Sequence, residues 1–437
     1  MQVSVEPKEG LEREMVVELP TTNIDGEVQT RLQSLTKTVK INGFRPGKIP
    51  FAVIKKRYGG QVEAEVLNEK LQQSYFEAVS QEKINPAGQP QIDIVENDNK
   101  DTITYKATFE VYPEIKTASL SGQSFEKAVV NISDADIDST IENIRTQNQS
   151  FTDVDRGAED DDQVTVDFTG TIDGEGFKGN QGQQVPVVLG KGQMISGFEE
   201  GLKGAKAGDE LTLDLKFPED YHYQDVAGKE VQFAVSVSAV KQASLPEMND
   251  EFFAQFGITE GGNEAFRAEV RKNMQIELDK AISSNMKNQV MDSILEVNDI
   301  LVPKALVQEE AKNMAQQMQS QYQLQGHGEA ELQTSLFEEQ AKRRVTLGLI
   351  LAEVVRSNEL KATSEMVKEK INELASTYEN PQEVLDYYMS NKEKLAEIES
   401  FVLEEKVVDW ACEQATIENK EYSFSEFMNP KKDEAIA

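Results

Sequence analysis

The chain is poor in the residues on which most enzyme chemistry is built. Its 437 residues include one cysteine, Cys412, and two histidines, His222 and His327. A single thiol excludes an internal disulfide and points to a reducing compartment. With one Cys and two distant His, no His/Cys metal cluster and no Cys–His dyad is expected. Neither histidine lies beside a nucleophile elbow, so a Ser–His–Asp triad is not expected either. No apolar run approaches the roughly 18 residues that a membrane span needs. The opening MQVSVEPKEG has no apolar segment of the secretory kind, which predicts no signal peptide. A cytosolic protein is the expectation, in which the sequons at Asn131 and Asn148 carry no meaning. Positive charge is also scarce: 45 Lys and Arg stand against 78 Asp and Glu, a formal net charge of −33. So acidic a chain repels nucleic acid and anionic membrane as a whole. Any anion-binding surface must be a local island.

What is present suggests a multidomain α+β protein, because 437 residues exceed one ordinary core. Residues 1–112 read as an α+β unit. Strand-like alternation covers 2–6, 13–19, 91–95 and 102–112. A helical stripe of Val28, Leu32, Leu35 and Val39 marks a helix from Asp25 to Val39. A Gly/Pro loop, I-N-G-F-R-P-G-K-I-P, follows at 41–50. A short helix with Pro50 in its first turn and Val53 and Ile54 inside should then stop at Gly59-Gly60, with another helix over 61–83. Between Val28 and Val62 there are eight cations, Arg31, Lys37, Lys40, Arg45, Lys48, Lys55, Lys56 and Arg57, and no acid. Residues 113–149 read as a connector with a helix over 134–147 that Asp134 can cap.

Residues 164–240 change character. Short alternating runs separated by Gly-containing turns predict a small antiparallel sheet domain. From Pro246 onward the sequence is almost entirely helical. The run 264–297 lacks Pro and Gly and would span about 50 Å, a length that suits projecting arms. Further helices are expected over 304–324, 330–357, 363–376, 381–390 and 393–416. This region holds nine of the 12 methionines, and 312–324 mixes Met with Gln. Such a helix suits weak contact with varied apolar partners.

Three motifs fail their context. Gly174 to Gly179 matches G-x-G-x-x-G, but N-Q-G-Q-Q follows it where a helix is required. Gly43 to Lys48 resembles a phosphate loop but has three spacer residues, and Ile49 stands where Ser or Thr should hold magnesium. The acidic turn A-E-D-D-D-Q at 158–163 lacks the alternating oxygen spacing of a calcium loop. No cofactor and no metal is expected.

Residues 164–240 place aromatics at strand edges: Phe168, Phe177, Phe198, Tyr221, Tyr223 and Phe233. The blocks V-T-V-D-F-T-G-T-I-D-G, V-V-L-G-K-G-Q-M-I-S-G-F-E-E-G-L-K-G-A-K-A-G-D, F-P-E-D-Y and V-Q-F-A-V-S-V resemble the FKBP-type peptidyl-prolyl isomerase family. The resemblance implies a proline pocket with Phe198 at the position of the family's Trp floor. Phe168, Phe177, Tyr223 and Phe233 would flank it, with Val187, Met194 and Ile195 as aliphatic walls and Tyr221 in the adjoining P-E-D-Y-H-Y block. Lys178 stands where that family has Asp.

Taken end to end, the chain resembles the trigger factor family of bacterial ribosome-associated chaperones. It has the opening M-Q-V-S-V-E strand, the G-F-R-P-G-K-I-P loop, an isomerase in the middle and a long helical end. The resemblance implies four parts. These are a ribosome-binding domain (1–112), a connector packing with the C-terminal body (113–149), an isomerase domain (150–243) and an all-α substrate-binding body with arms (244–437). It places ribosome contacts on Gly43, Phe44, Arg45, Pro46, Gly47, Lys48 and Pro50. The implied partners are a large-subunit protein and rRNA at the exit tunnel, with nascent and unfolded polypeptides as clients. No membrane partner is implied, and a homodimer is allowed off the ribosome. Two other readings compete: an RNA-binding protein with an incidental isomerase, and a free prolyl isomerase needing only 150–243.

Overall fold

The structure, a computed structural model, describes residues 2–40, 42, 44, 49–95, 102–177, 179–221, 223–324, 332–376, 378 and 380–430. Gly43, Arg45, Pro46, Gly47, Lys48, Lys178, His222 and His327 lie outside the described residues. In chain order the elements begin with β1 (Gln2–Pro7), β2 (Glu12–Pro20), α1 (Thr21–Thr38) and α2 (Phe51–Gln81). Then come β3 (Pro86–Val95), β4 (Thr102–Val111), β5 (Ser124–Val130), α3 (Asp134–Gln147), β6 (Ser150–Asp153) and β7 (Gln163–Thr171). They continue with β8 (Gln181–Val188), α4 (Phe198–Leu202), β9 (Glu210–Lys216), β10 (Glu230–Ser244), α5 (Asp250–Ala254) and α6 (Gly262–Val297). The chain ends in α7 (Lys304–Leu324), α8 (Glu338–Ser357), α9 (Ser364–Ala375), α10 (Pro381–Ser390), α11 (Lys392–Gln414), β11 (Thr416–Tyr422) and α12 (Phe424–Met428). Two compact units result, residues 1–127 with 284–419, and residues 128–283 with 420–437.

In the first unit, antiparallel strands lie in the order β1-β2-β4-β3. The register sets Met15 opposite Ala107 and Val17 opposite Tyr105, so alternate residues share one face. Leu71, Tyr75 and Ala78 of α2 cover that face. The first half of α2 buries Ile54, Val62 and Val66 against Ile24 and Leu32 of α1. The expected stop at Gly59-Gly60 is not there: α2 runs unbroken for 31 residues. Two helical glycines cost about 1 kcal/mol each, less than the burial of the three aliphatics on either side of them contributes. Pro50 sits just ahead of the helix, at its N-cap.

The helices of this unit pack along four-residue stripes. Val307, Ala311 and Ala315 of α7 meet Ala341 of α8 and Phe337 before it. Val290, Ile294, Ile350, Val354, Val407 and Ala411 form a second core with Leu120 and Phe125 of the 113–127 segment. The Ala305 N–H at the start of α7 donates to the Glu110 carboxylate of β4 at 3.1 Å, satisfying an orphan helix donor. One strand, β11, lies within the stretch expected to be helical and pairs with β5. Its partner is almost 300 residues away, which local periodicity does not register.

In the second unit the antiparallel order is β6-β10-β7-β8, with β9 also on β10. The 15-residue β10 therefore organises the sheet. Val164, Val166, Val231, Val235 and Val237 fill its inner face. Helix α3 is capped by Ser133 and not by Asp134: the Ser133 hydroxyl accepts from the Asp136 N–H and Asp136 accepts from the Ser133 N–H. This reciprocal box satisfies two donors where Asp134 would satisfy one. Ile137 and Ile141 of α3 pack on Phe252, Phe253, Phe266 and Val270.

Candidate functional site

The nine residues assigned to a proline pocket converge on one face of the five-stranded sheet. Phe168 on β7, Phe198 at the start of α4 and Phe233 on β10 form an edge-to-face triangle. Their ring centroids are 5.8, 5.7 and 5.5 Å apart. Such T-shaped pairs add to the stabilisation that burial alone provides. Val187 is buried beside them, and Met194, Ile195, Phe177 and Tyr221 pack against the same cluster. Tyr223 meets Tyr221 at 6.3 Å and is 50% exposed. Phe198 has no exposed surface, so it supports the site from beneath. Phe168, Phe177, Ile195 and Tyr221 are half-buried and Tyr223 is exposed, so these side chains are open to solvent above it.

Sequence reasoning missed a ring at the centre of this group. Phe217 is 4% exposed and touches Tyr221, Phe177 and Phe233 at 4.7, 5.7 and 6.5 Å. Its signal was its place directly before P-E-D-Y, where a turn carries the next tyrosines into the cluster.

Glycine makes two close approaches possible. A Cβ on Gly170 would lie 2.7 Å from Phe233 Cε1 and 3.1 Å from Phe177 Cζ. Gly197 precedes α4 with φ near +89°, and a Cβ there would lie 2.8 Å from Leu215. That turn aims Phe198 into the sheet. Glu199 beside it was also missed. Its carboxylate accepts from the N–H groups of Gly190, Gly192, Gln193 and Met194. Burial acts to raise its pKa, but the four N–H groups outweigh burial and hold the carboxyl below its ordinary value. The described residues of the G-x-G-x-x-G stretch, 174–177 and 179, lie between β7 and β8, and the next described element is a strand, not a helix.

A second candidate surface lies on α1 and α2. Phe44, between the two helices, is 40% exposed. Lys37, Lys55, Lys56 and Arg57, with Lys40 just beyond α1, have no carboxylate partner among the described residues. Arg31 departs from the expected island. It is ion-paired with Glu27 and Glu69, which lie outside the acid-free span but on the same two helices. A hollow of about 530 Å³ is lined by Ala52, Val53, Lys56 and Arg57, so apolar and cationic groups share one surface.

In the helical region the methionines divide. Met274 and Met291 are core, whereas Met318 is 40% exposed on α7. No helix among the described residues is long and apolar enough to cross a membrane.

Comparison with known proteins agrees with these features. Residues 1–144 match the family described as bacterial trigger factor protein, and residues 264–413 match the trigger factor C-terminus. Residues 154–238 match the FKBP-type peptidyl-prolyl cis-trans isomerase family. The chain is 46% identical to the trigger factor of Hahella chejuensis over 434 residues, 99% of this chain and 97% of that one. It is 45% identical to that of Alkalilimnicola ehrlichii over 436 residues, 100% of this chain and 97% of that one. With the trigger factor of Pseudomonas putida it shares 46% over 438 residues, covering 100% of both. This chain belongs to the trigger factor family, and its middle segment is an FKBP-type peptidyl-prolyl cis–trans isomerase domain.

Proposed function

We propose that the chain is an ATP-independent chaperone of the bacterial cytoplasm that docks at the ribosomal exit tunnel and holds nascent chains open. On this reading residues 1–112 bind a large-subunit protein and rRNA, 113–149 connect, 150–243 isomerise X–Pro bonds and 244–437 hold clients. The observation that carries it is Phe44, exposed in the segment between α1 and α2, where five cations of the same stretch have no carboxylate partner among the described residues, in a chain of net charge −33. The cations answer phosphates, and the ring supplies an apolar anchor. Gly43, Arg45, Pro46, Gly47, Lys48 and Pro50 complete this docking tip. Co-sedimentation with ribosomes tests the reading. Wild type should pellet and a Phe44→Ala, Arg45→Ala, Lys48→Ala variant should stay in the supernatant; equal pelleting overturns it.

The isomerase step needs no acid, base or metal. Amide resonance sets a barrier of roughly 18–20 kcal/mol to rotation about X–Pro. The ring cluster removes water from the prolyl amide, which disfavours the charge-separated planar form relative to the twisted one. On this reading the Tyr223 hydroxyl, at the exposed edge, donates to a substrate carbonyl. Each tenfold in rate needs about 1.4 kcal/mol of such differential stabilisation. In the body, exposed Met318 suits weak and varied contacts, so clients leave because affinity is low. A homodimer off the ribosome fits the same apolar exposure.

The RNA-binding reading predicts equal affinity for naked RNA and for intact ribosomes. Few rings accompany the cations, only Phe44, Phe51 and Tyr58 between residues 28 and 62, which disfavours base stacking.

A further inference from the structure

Between β8 and α4 the chain crosses residues 189–197 without a strand or helix to order it. This segment carries Met194 and Ile195, which pack against the ring cluster. The N–H groups of Gly190, Gly192, Gln193 and Met194 find no backbone acceptor among the described residues. All four point instead at one side chain. Glu199 Oε2 accepts from Gly190 at 2.9 Å and Gly192 at 3.0 Å. Oε1 accepts from Gln193 at 2.7 Å and Met194 at 3.2 Å. Glu199 is only 5% exposed and has no cation partner among the described residues. A buried carboxylate without a counter-ion persists where oriented N–H dipoles replace its water.

We infer that Glu199 is a positioning residue of the isomerase: its buried carboxylate gathers four backbone N–H groups and so holds the 190–194 segment as a lip that sets Met194 and Ile195 against the rings. Glu199 directly follows Phe198, so one short helix fixes both the floor and the lip. The inference rests on the ring cluster being the prolyl site.

The replacement Glu199→Gln keeps the size but not the acceptor count. One amide oxygen can serve two of the four donors, and the NH₂ group then faces the other two. The experiment uses the full chain, an X–Pro tetrapeptide assay and amide hydrogen exchange, with Phe177→Ala in parallel. For E199Q, exchange in 189–195 should rise while β7 and β10 keep their protection. Its kcat/KM should fall on the order of tenfold, mainly through KM, because a loosened lip weakens the grip on the prolyl ring. A residue of merely structural importance would lose protection across the sheet or lower both parameters only with thermal stability. Should E199Q lose protection throughout the sheet, Glu199→Asp, which keeps the charge but retracts it, is judged by the same two readouts. Wild-type kcat/KM in a variant whose lip exchanges faster overturns the inference, as does an unchanged lip. An active Phe177→Ala overturns the ring-cluster reading itself, and the inference with it; an inactive one beside a fully active E199Q overturns the inference alone.

Discussion

Arg31 on α1 donates two hydrogen bonds to Glu69 on α2, at 3.0 and 2.5 Å. In sequence Arg31 belongs to a run of cations without acids; in space its charge is already answered. Among the island's described cations, Lys55, Lys56 and Arg57 remain without a carboxylate partner on the first turns of α2. The Lys55→Ala, Lys56→Ala, Arg57→Ala variant is therefore expected to lose most ribosome co-sedimentation at physiological salt. Arg31→Ala is expected to pellet as wild type does. Equal losses in both would mean that the docking surface extends over α1 as a whole.

The close approach at Gly170 allows a variant that removes no ring. Gly170→Ala places a methyl 2.7 Å from Phe233 Cε1. The ring must move, at a cost of about 1–3 kcal/mol. The X–Pro tetrapeptide assay should show several-fold lower kcat/KM, with a lower melting temperature of the second unit. Unchanged activity would argue that the placement of Phe233 is not part of catalysis.

Two buried tyrosines in the first unit should respond oppositely to loss of their hydroxyls. Tyr105 shares a hydrogen bond with Ser74 at 2.9 Å. The Tyr75 hydroxyl has no partner among the described residues, and burial, aided by Tyr105, pushes its pKa up to about 12. Tyr75→Phe removes an unsatisfied polar group and is expected to stabilise by about 1 kcal/mol. Tyr105→Phe breaks a made bond and is expected to destabilise by a similar amount. Urea denaturation of the two variants gives the comparison.

Acid should act on the second unit through Glu199. Its folded pKa lies below the ordinary carboxylate value, because four N–H groups outweigh burial. In the unfolded chain the ordinary value returns. The group thus contributes stability fully above that ordinary value and loses it as pH falls through the lower folded one. Unfolding midpoints should fall below about pH 4.5, and Glu199→Gln should remove part of that fall. An identical slope in the variant would exclude Glu199 as a source of the acid sensitivity.

Much of the fold was legible in the amino acids. Period-two alternation marked β2, β4, β7 and β10, and a Pro- and Gly-free run marked α6 within a few residues of its 262–297 bounds. The nine residues that family resemblance assigns to a proline pocket come together around the ring cluster. Departures arose where a distant partner overrode a local signal. Gly59-Gly60 reads as a stop, yet the aliphatics around it pack on α1. Asp134 reads as a cap, yet Ser133 and Asp136 complete each other. Residues 416–422 follow the helix expected over 393–416 in a region read as all helical, yet β5 offers them a ladder.

From its residues alone the chain declares its acidity, its basic loop region, its elements and its family, because each of these is carried by composition or by short-range spacing. Which charges are spent and which are available could not be read that way. Arg31 is closed off by an acid 38 residues later, and Glu199 is an ordinary acid until four amides surround it. Ion pairs, ring contacts and backbone acceptors are relations between distant positions. They come into being only when burial of the aliphatic stripes brings those positions within a few ångströms.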